Sequence, residues 1–329
     1  MELTEFKQNL TKGTVDQIHN TRQNRYTHLL LLREVTSPAR FTTDGETANT
    51  TNILIGDPDK ETYPIRAVDL FYRKQPGAER RTAKRLQRDL LGDVDDDCAE
   101  DHMHPNEMKQ NTPESVLFGS AAGDEGISQR SRVYYNTAYT LRDANVVLRQ
   151  NVQNAPGDET RNESSEGQGT WTPDFVQPGA LFPCIVTLDS TIPEEVLFTM
   201  AAIARTNRYG AGETRGGNVT NHFLGVYTGS NDSPSNLELT RQTAANMVEA
   251  DGVELEEFAT EKTVDVGDAK GAVQEAYEGL LDRNSIEADK IPEEDVNSVV
   301  GELRNDDVLA DIMEKQLEEV QDYIERFNN

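Results

Sequence analysis

The sequence is poor in the features that mark several common classes of protein. It has 329 residues but only two cysteines, Cys98 and Cys184, too few for the disulfide framework of a small secreted protein. Its longest apolar run is four leucines at 29–32, far short of the roughly 18–20 residues of a membrane-spanning helix. The N-terminus lacks the apolar stretch of a signal peptide. These absences predict a cytoplasmic protein with no membrane partner.

Positive charge is also scarce. The chain has 32 Lys and Arg against 59 Asp and Glu, a formal net charge of -27. A carboxylate-rich surface is typical of a protein that stays soluble in molar salt, which predicts a halophilic source. A calcium-binding protein is the alternative, but the acidic run 93–97 lacks the turn glycine and the later glutamate of a calcium loop. Net charge alone disfavours a nucleic-acid binder, because phosphates attract basic surfaces.

The acidic residues are unevenly distributed, and the exceptions are informative. Residues 251–329 hold 24 acidic and 7 basic side chains, whereas residues 66–88 hold eight Lys or Arg and only two acids. Further arginines lie at 130–149 and at 205–215. Such clusters are either solvated helix faces, partners of nearby carboxylates, or a binding surface. They stand out because the overall composition opposes them.

Hydrophobic patterning predicts an α+β protein. Apolar or alternating runs predict strands, and two further segments predict helices. The strands are expected at 28–35, 65–72, 180–188 and 219–227, and the helices at 78–91 and 193–205. Pro76-Gly77 predicts a turn before the first helix, whose weak apolar stripe predicts a largely exposed, basic surface. We expect the helices to pack on one face of the sheet.

The predicted domain organisation has four parts: an N-terminal part of the core with the basic helix (1–91), an acidic insertion (92–114), the remainder of the core (115–235) and an acidic helical C-terminal segment (236–329). The third part includes a long loop at 150–179 and an Arg/Gly-rich segment at 205–217. A loop longer than about 12–15 residues is either disordered or functional. The C-terminal segment is either docked on the sheet or a separate small bundle.

The Arg/Gly-rich segment does not match a dinucleotide or phosphate-loop motif, because its glycine spacing is wrong and no Gly-Lys-Ser/Thr follows. It carries Arg205, Arg208, Tyr209 and Arg215. Glycine permits close backbone approach, arginine binds phosphates, and tyrosine can stack on a base. The segment is therefore either a wide surface turn or part of a nucleic-acid site.

A second candidate site is Cys98 with His102 and His104, which are ligand types that suit zinc. The alternative is a solvated acidic loop without ordered metal. Signals for nucleophilic catalysis are weak: Cys184 lies among apolar residues, and His222 is equally consistent with a core or a site residue. A zinc-dependent hydrolase and a structural assembly protein without nucleic acid both remain open as functions at this point.

Five segments of the first two-thirds of the chain carry a specific combination of motifs. The segments are RYTHLLLLREVTSPARFTTDG (25–45), FYRKQPGAERRTAKRLQRDLL (71–91), SVLFGSAAGDEGISQRSRVYYNTAYTL (115–141), PGALFPCIVTL (178–188) and RTNRYGAGETRGGNVTNHFLGVYTG (205–229). Arg-Lys-Gln is followed by Glu-Arg-Arg and later by Arg-Tyr-Gly-Ala, Thr-Arg and Asn-His. Together they resemble the backbone subunit of type I-D CRISPR effector complexes, the family-seven CRISPR-RNA-binding protein of the type I-D Cascade, in a haloarchaeal form.

The resemblance implies a modified RNA-recognition-motif (ferredoxin-like) core with insertions, and a binding protein rather than a nuclease. Several copies would line up along one CRISPR RNA with an RNA-handle-binding subunit and a large subunit, and would display the spacer to target DNA. Family members usually hold several cysteines in the insertion; here Cys98 is alone, which leaves zinc as an optional structural cofactor. The acidic C-terminal segment is expected to face solvent, away from RNA.

The basic clusters and the resemblance together predict which side chains contact RNA. We expect mainly phosphate contacts, because the spacer sequence varies while the protein does not. The predicted residues are Arg66, Arg73, Lys74, Arg80, Arg81, Lys84, Arg85, Arg88, Arg130, Arg132, Arg205, Arg208, Tyr209, Arg215 and His222.

Overall fold

A computed structural model describes the chain except for residues 42–46, 105–106, 122–127, 151–152, 155–169, 211–216, 262 and 329. The strands are β1 (Tyr26–Ser37), β2 (Thr50–Asp57), β3 (Glu61–Leu70), β4 (Val133–Tyr135), β5 (Ala138–Tyr139), β6 (Leu148–Gln150), β7 (Gln153–Asn154), β8 (Thr170–Trp171), β9 (Asp174–Val176), β10 (Leu181–Asp189), β11 (Asn218–Gly229) and β12 (Ala288–Pro292). The helices are α1 (Leu3–Asn9), α2 (Lys74–Leu91), α3 (Asp96–Glu100), α4 (Pro113–Phe118), α5 (Ala144–Val147), α6 (Pro193–Arg205), α7 (Asn236–Asp251), α8 (Leu255–Thr260), α9 (Val266–Arg283), α10 (Glu293–Glu302) and α11 (Asp306–Asn328). Across these described ranges, no helix has the length and apolar character needed to cross a membrane.

A five-stranded antiparallel sheet forms the centre of the fold, in the order β12-β11-β1-β10-β4. Because β1 and β4 are both antiparallel to β10, they run parallel to each other, and α2 lies between them in sequence. In the same way α6 connects β10 to β11, which are parallel on either side of β1. This βαββαβ arrangement is the ferredoxin-like pattern, and it confirms the predicted α+β core.

Both faces of the sheet are covered. Successive residues of a strand point to opposite faces, and β1 shows this directly: Leu29 and Leu31 pack in the core that contains α2 and α6, whereas Leu30 and Leu32 pack in the core that contains α7 and α9. The expectation of helices on one face only is therefore wrong. The sheet face cannot serve as an open platform for a ligand.

The C-terminal segment is docked on the sheet rather than separate. α7 and α9 cover one face, while α10 and α11 join the core on the other. β12 pairs with β11 from Gly225↔Pro292 to Gly229↔Ala288 and so extends the sheet by one strand. Apolar residues at helical spacing are buried in both long helices: Val273, Ala276, Tyr277, Leu280 and Leu281 in α9, and Leu309, Ile312, Met313, Leu317 and Val320 in α11. The same spacing predicts burial of Ile324 and Phe327, but Ile324 is only partly buried and Phe327 is exposed.

The basic helix begins earlier and is less exposed than expected. α2 starts at Lys74, so Pro76 and Gly77 lie in its first turn rather than in a preceding turn; proline is tolerated there because the first backbone N–H groups have no intrahelical partner. Half of its eighteen residues are buried, including Gln75, Glu79 and Lys84. Its buried face is largely polar, which is why the apolar stripe looks weak in the sequence.

The acidic insertion contains local structure that the sequence reading missed. Asp95 caps α3 by accepting a 2.8 Å hydrogen bond from the Cys98 amide, and Thr112 caps α4 by accepting one of 3.3 Å from the Ser115 amide. Most of the loop predicted at 150–179 lies outside the described residues. The part that is described includes β9, which pairs with β6.

Candidate nucleic-acid interface

A basic cleft opens between the exposed face of α2 and the chain that follows α6. Its volume is about 510 Å³. Two of the predicted basic clusters, far apart in sequence, meet here, and one histidine comes from the acidic insertion. The charged and titratable lining residues, apart from the buried Lys84, are Arg81, Arg85, Arg88, His102, Arg205 and Arg208.

The spacing of the α2 arginines explains one wall of this basic cleft. Residues 81, 85 and 88 are separated by four and three positions, so their side chains share one helix face. Arg81 and Arg85 are exposed. The only acid between residues 70 and 89 is Glu79, which is fully buried. The exposed face of this part of the helix therefore has positive charge with no carboxylate of its own.

The cleft arginines of α2, at 81, 85 and 88, are not neutralised by side-chain carboxylates among the described residues, whereas Arg80 is paired. Arg85 donates a 3.1 Å hydrogen bond to Thr82 Oγ1, and Arg88 donates one of 2.7 Å to the carbonyl of Asp101. Partial desolvation and the neighbouring charge of Arg85 lower the pKa of the Arg81 guanidinium, which nonetheless stays charged at neutral pH. An anion in the cleft would relieve this repulsion, and bidentate arginine contacts suit phosphate oxygens.

A buried polar network fixes the opposite wall. Arg33 of β1 donates hydrogen bonds to Glu79 (2.7 Å) and to the hydroxyl of Tyr209 (2.6 Å). Burial opposes the charged form of Arg33, but the Glu79 carboxylate raises its pKa well above the usual value. Asn221 holds the same segment by donating to the carbonyls of Ile203 and Thr206 at 3.0 and 2.8 Å. The network ties α2 to the chain that carries Arg208.

Tyr209 therefore differs from its predicted role. Its side chain is buried, and its hydroxyl donates a 2.7 Å hydrogen bond to Glu79. Its ring lies under the Arg33 guanidinium, 5.0 Å from ring centroid to guanidinium carbon. It is not available to stack on a base, and it serves instead to anchor the segment.

Lys84 and Arg80 also point away from the cleft surface, toward the acidic insertion. The Lys84 ammonium is buried against the carboxylates of Asp101 and, at 2.7 Å, Glu114. Arg80 Nε donates to Glu114 at 2.5 Å and Arg80 Nη2 to the carbonyl of Gly119 at 2.7 Å. These two cations hold the insertion against α2, which places His102 and Met103 at the cleft.

The acidic C-terminal segment reaches the cleft, contrary to the expectation that it faces away. Arg205, at the end of α6, forms a 2.8 Å ion pair with Asp306 at the start of α11 and donates 2.9 Å to the carbonyl of Leu303. Arg205 is thus held in one orientation by the tail. It shares its charge with a carboxylate, unlike Arg81 and Arg85.

The remaining predicted residues are dispersed. Arg132 is buried and pairs with Glu195, and His222 lies 2.8 Å from Glu34. Arg66, Arg73, Lys74 and Arg130 do not line the cleft, although Arg73 and Lys74 lie at the other end of α2. Arg215 lies outside the described residues.

The structure does not bring Cys98, His102 and His104 together as a metal site. Cys98 is buried in the main core, whereas both histidines are exposed. Burial raises the pKa of the Cys98 thiol, and Asp95 raises it further, which disfavours the thiolate that zinc requires. Within the ranges that the structure describes, no group of three or more His, Cys, Asp or Glu could hold a metal ion.

Two features of the site were missed in the sequence. The Arg33–Glu79 pair could be found in the sequence, because an arginine inside an apolar strand and a lone acid in a basic helix each need an oppositely charged partner when they are buried. Thr82 and Asn207 also line the cleft. Neither has a sequence signal beyond its position between the arginines.

A comparison with models of protein families identifies the family of this chain. The model of the Csc2 CRISPR family matches residues 14–316, which include the whole central sheet and every residue of the cleft. The chain belongs to the Csc2 family of CRISPR proteins. It is accordingly a CRISPR backbone subunit. A comparison with curated protein sequences found no match.

Solved structures similar to this Csc2 family member include one that shares its fold. The crystal structure of Thermofilum pendens Csc2 has a TM-score of 0.55 at 16% identity, covering 93% of this chain and 90% of that one. A CRISPR RNA-guided surveillance complex chain has a TM-score of 0.47 at 12% identity, covering 80% and 87%. A type IV-B CRISPR complex chain has a TM-score of 0.39 at 17% identity, covering 60% and 89%.

Proposed function

We propose that this chain is the CRISPR RNA-binding backbone subunit of a cytoplasmic type I-D Cascade complex in a halophilic host. Several copies assemble along one guide RNA, together with an RNA-handle-binding subunit and a large subunit, and the assembly recognises target DNA. The chain acts as a binding subunit and not as the catalyst of cleavage.

The basic cleft is the observation that carries this proposal. Its five arginines converge from α2, from the end of α6 and from the chain after it, in a protein of net charge -27. A surface that stays basic against such a bias is expected where the ligand is a polyanion. Phosphate contacts carry no base information, so a cleft of arginines can hold a guide of any sequence.

Charge reversal in the cleft tests the proposal. We expect Arg81→Glu with Arg85→Glu to reduce the small RNA that co-purifies with the chain from a native host to background, since both guanidinium groups face the cleft. Sequencing of the RNA bound to the wild type should return CRISPR repeats with spacers. Arg80 is unsuitable for this test because it holds Glu114.

The matched control is Lys12→Glu with Lys60→Glu, which reverses two cations that are exposed outside the cleft. It changes net charge by the same amount and should leave the RNA load unchanged. A wild-type RNA load in the cleft double variant, or an equal loss in the control, would mean that the cleft is not the RNA-binding site. Native mass of the assembly with and without ribonuclease reports the copy number.

A further inference from the structure

Tyr72 and Arg73 form an exposed aromatic and cationic pair just before α2. The Tyr72 side chain is 38% exposed, and its ring contacts that of Phe71 with centroids 4.6 Å apart. Arg73 Nε donates a 2.9 Å hydrogen bond to the Tyr72 hydroxyl, and its guanidinium carbon lies 5.6 Å from the ring centroid. An aromatic ring with a cation beside it is therefore presented to solvent.

The backbone beneath this pair is held in place. Gln75 is fully buried and donates hydrogen bonds to the carbonyls of Leu70 and Asn136, at 3.1 and 2.8 Å. The amide of Tyr72 donates to Thr137 Oγ1 at 3.3 Å. A ring on a preformed support loses little conformational entropy when a ligand covers it, which favours binding.

The residue that follows the pair, Lys74, lies on the face of α2 that lines the basic cleft. Lys74, Arg81 and Arg88 are seven residues apart in turn, close to two helical turns, so they share one face of α2. At about 1.5 Å per residue, Lys74 and Arg88 are about 21 Å apart along the axis. Since Glu79 is buried, no acid of this segment interrupts the exposed path from Tyr72 to Arg88.

We propose that Tyr72 is a stacking site for an unpaired nucleobase of the RNA whose phosphates occupy the basic cleft. The inference rests on the proposed function and adds a base contact to it. Stacking tolerates any sequence, because every base has a π-face, so it suits a guide with a variable spacer. Arg73 then turns from the ring to an adjacent phosphate, where its planar guanidinium binds two oxygens.

Two oligonucleotides of the same length separate base contacts from phosphate contacts. One is a labelled oligouridine, and the other has the same backbone without bases. For the full-length chain, we expect Tyr72→Ala to weaken binding of the oligouridine by about 5- to 150-fold and to leave the abasic strand unaffected. Tyr72→Phe keeps the ring and should bind both strands like the wild type.

Phe327→Ala is the matched control, because Phe327 is 37% exposed on α11 and does not line the cleft. It should bind both strands normally. Arg81→Gln, by contrast, should weaken both strands together, because it removes a phosphate contact.

Three results would overturn the stacking site. Equal loss on both strands in Tyr72→Ala would show that the ring only supports Arg73. If Tyr72→Ala binds the oligouridine like the wild type but self-associates less, Tyr72 makes a protein contact instead. If neither RNA binding nor self-association changes, Tyr72 has no role in either. Failure of the wild-type chain to bind either strand would instead refute the proposed function.

Discussion

Lys84 and Glu114 form a fully buried ion pair, with the ammonium 2.7 Å from the carboxylate. The same ammonium contacts Asp101, which also accepts hydrogen bonds from Gln87 (3.1 Å) and Thr112 (3.0 Å). This cluster attaches the acidic insertion to the basic helix, so a residue that looks like a phosphate ligand in the sequence is a structural one.

Removal of Lys84 should destabilise the protein strongly. Lys84→Ala leaves the buried carboxylate of Asp101 without a counter-charge and leaves Glu114 with Arg80 alone, and breaking a buried pair costs about 3–5 kcal/mol. Urea denaturation followed by circular dichroism gives the free energy of unfolding. Lys109→Ala removes the more exposed pairs with Asp97 and Glu100 and should cost at most about 1 kcal/mol. Equal effects of the two substitutions would contradict the buried cluster.

The Arg33–Glu79 pair should show coupling in a double-mutant cycle. Arg33→Met or Glu79→Met alone leaves one buried charge unpaired and should cost about 3–5 kcal/mol in the free energy of unfolding. The double substitution should cost less than the sum of the two, because neither charge then remains. Additive losses would mean that the two groups do not interact in the folded state.

His28 should make the protein less stable in mild acid. It is buried, with Nε2 3.0 Å from the Asn231 carbonyl and Nδ1 3.0 Å from Thr187 Oγ1. Burial lowers its pKa, although the Asn231 hydrogen bond and Asp232 oppose this. The unfolded chain, with a histidine pKa of about 6.5, therefore binds more protons than the folded one below that pH. The stability that this group contributes is complete above about 6.5 and is lost as the pH falls toward the lowered folded pKa.

Thermal unfolding at pH 7.5 and 5.5 measures this effect. The melting temperature of His28→Gln should fall less between the two pH values than that of the wild type. His19→Gln is the control, because no comparable burial surrounds that side chain, and it should follow the wild-type pH dependence. A parallel fall in all three proteins would assign the acid sensitivity to other groups.

Binding of single-stranded RNA should depend on salt through the cleft arginines. Each phosphate contact contributes about -0.7 to the slope of log K against log salt concentration. Arg85→Gln should therefore make the slope less negative by about 0.7, whereas Lys60→Gln should leave it unchanged. Affinity titrations at four or more KCl concentrations provide the slopes.

Individual strands and helices of the core were predictable because their sequence signals are local. The run 28–35 and the segment 193–205 are uninterrupted apolar or amphipathic patterns with clear ends, and both became the predicted elements, β1 and α6. Coverage of the second sheet face was not predictable, because no local sequence pattern indicates the face on which α7 and α9 pack. That choice depends on packing between distant segments.

The site was predictable in part for the same reason. Clusters of arginine against an acidic background pointed to α2 and to the chain after α6, and the two do meet. Individual roles were not predictable: Arg81 and Lys84 are three residues apart, yet one is exposed in the cleft and the other is buried. Residues three apart are neighbours on a helix, so spacing does not separate these two cations. Lys84 is buried because Asp101 and Glu114, which are distant in sequence, pair with it.

β12 is an edge strand of the central sheet, and its features protect that edge from pairing with further strands. Sheet edges are open to further strand pairing unless they are short, charged or interrupted by proline, and β12 is five residues long, contains Lys290 and ends at Pro292. The opposite margin, β4, has only three residues. The proposed assembly of several copies would bring such edges to high local concentration, and edges that resist strand pairing leave the intended contacts as the easiest route to association.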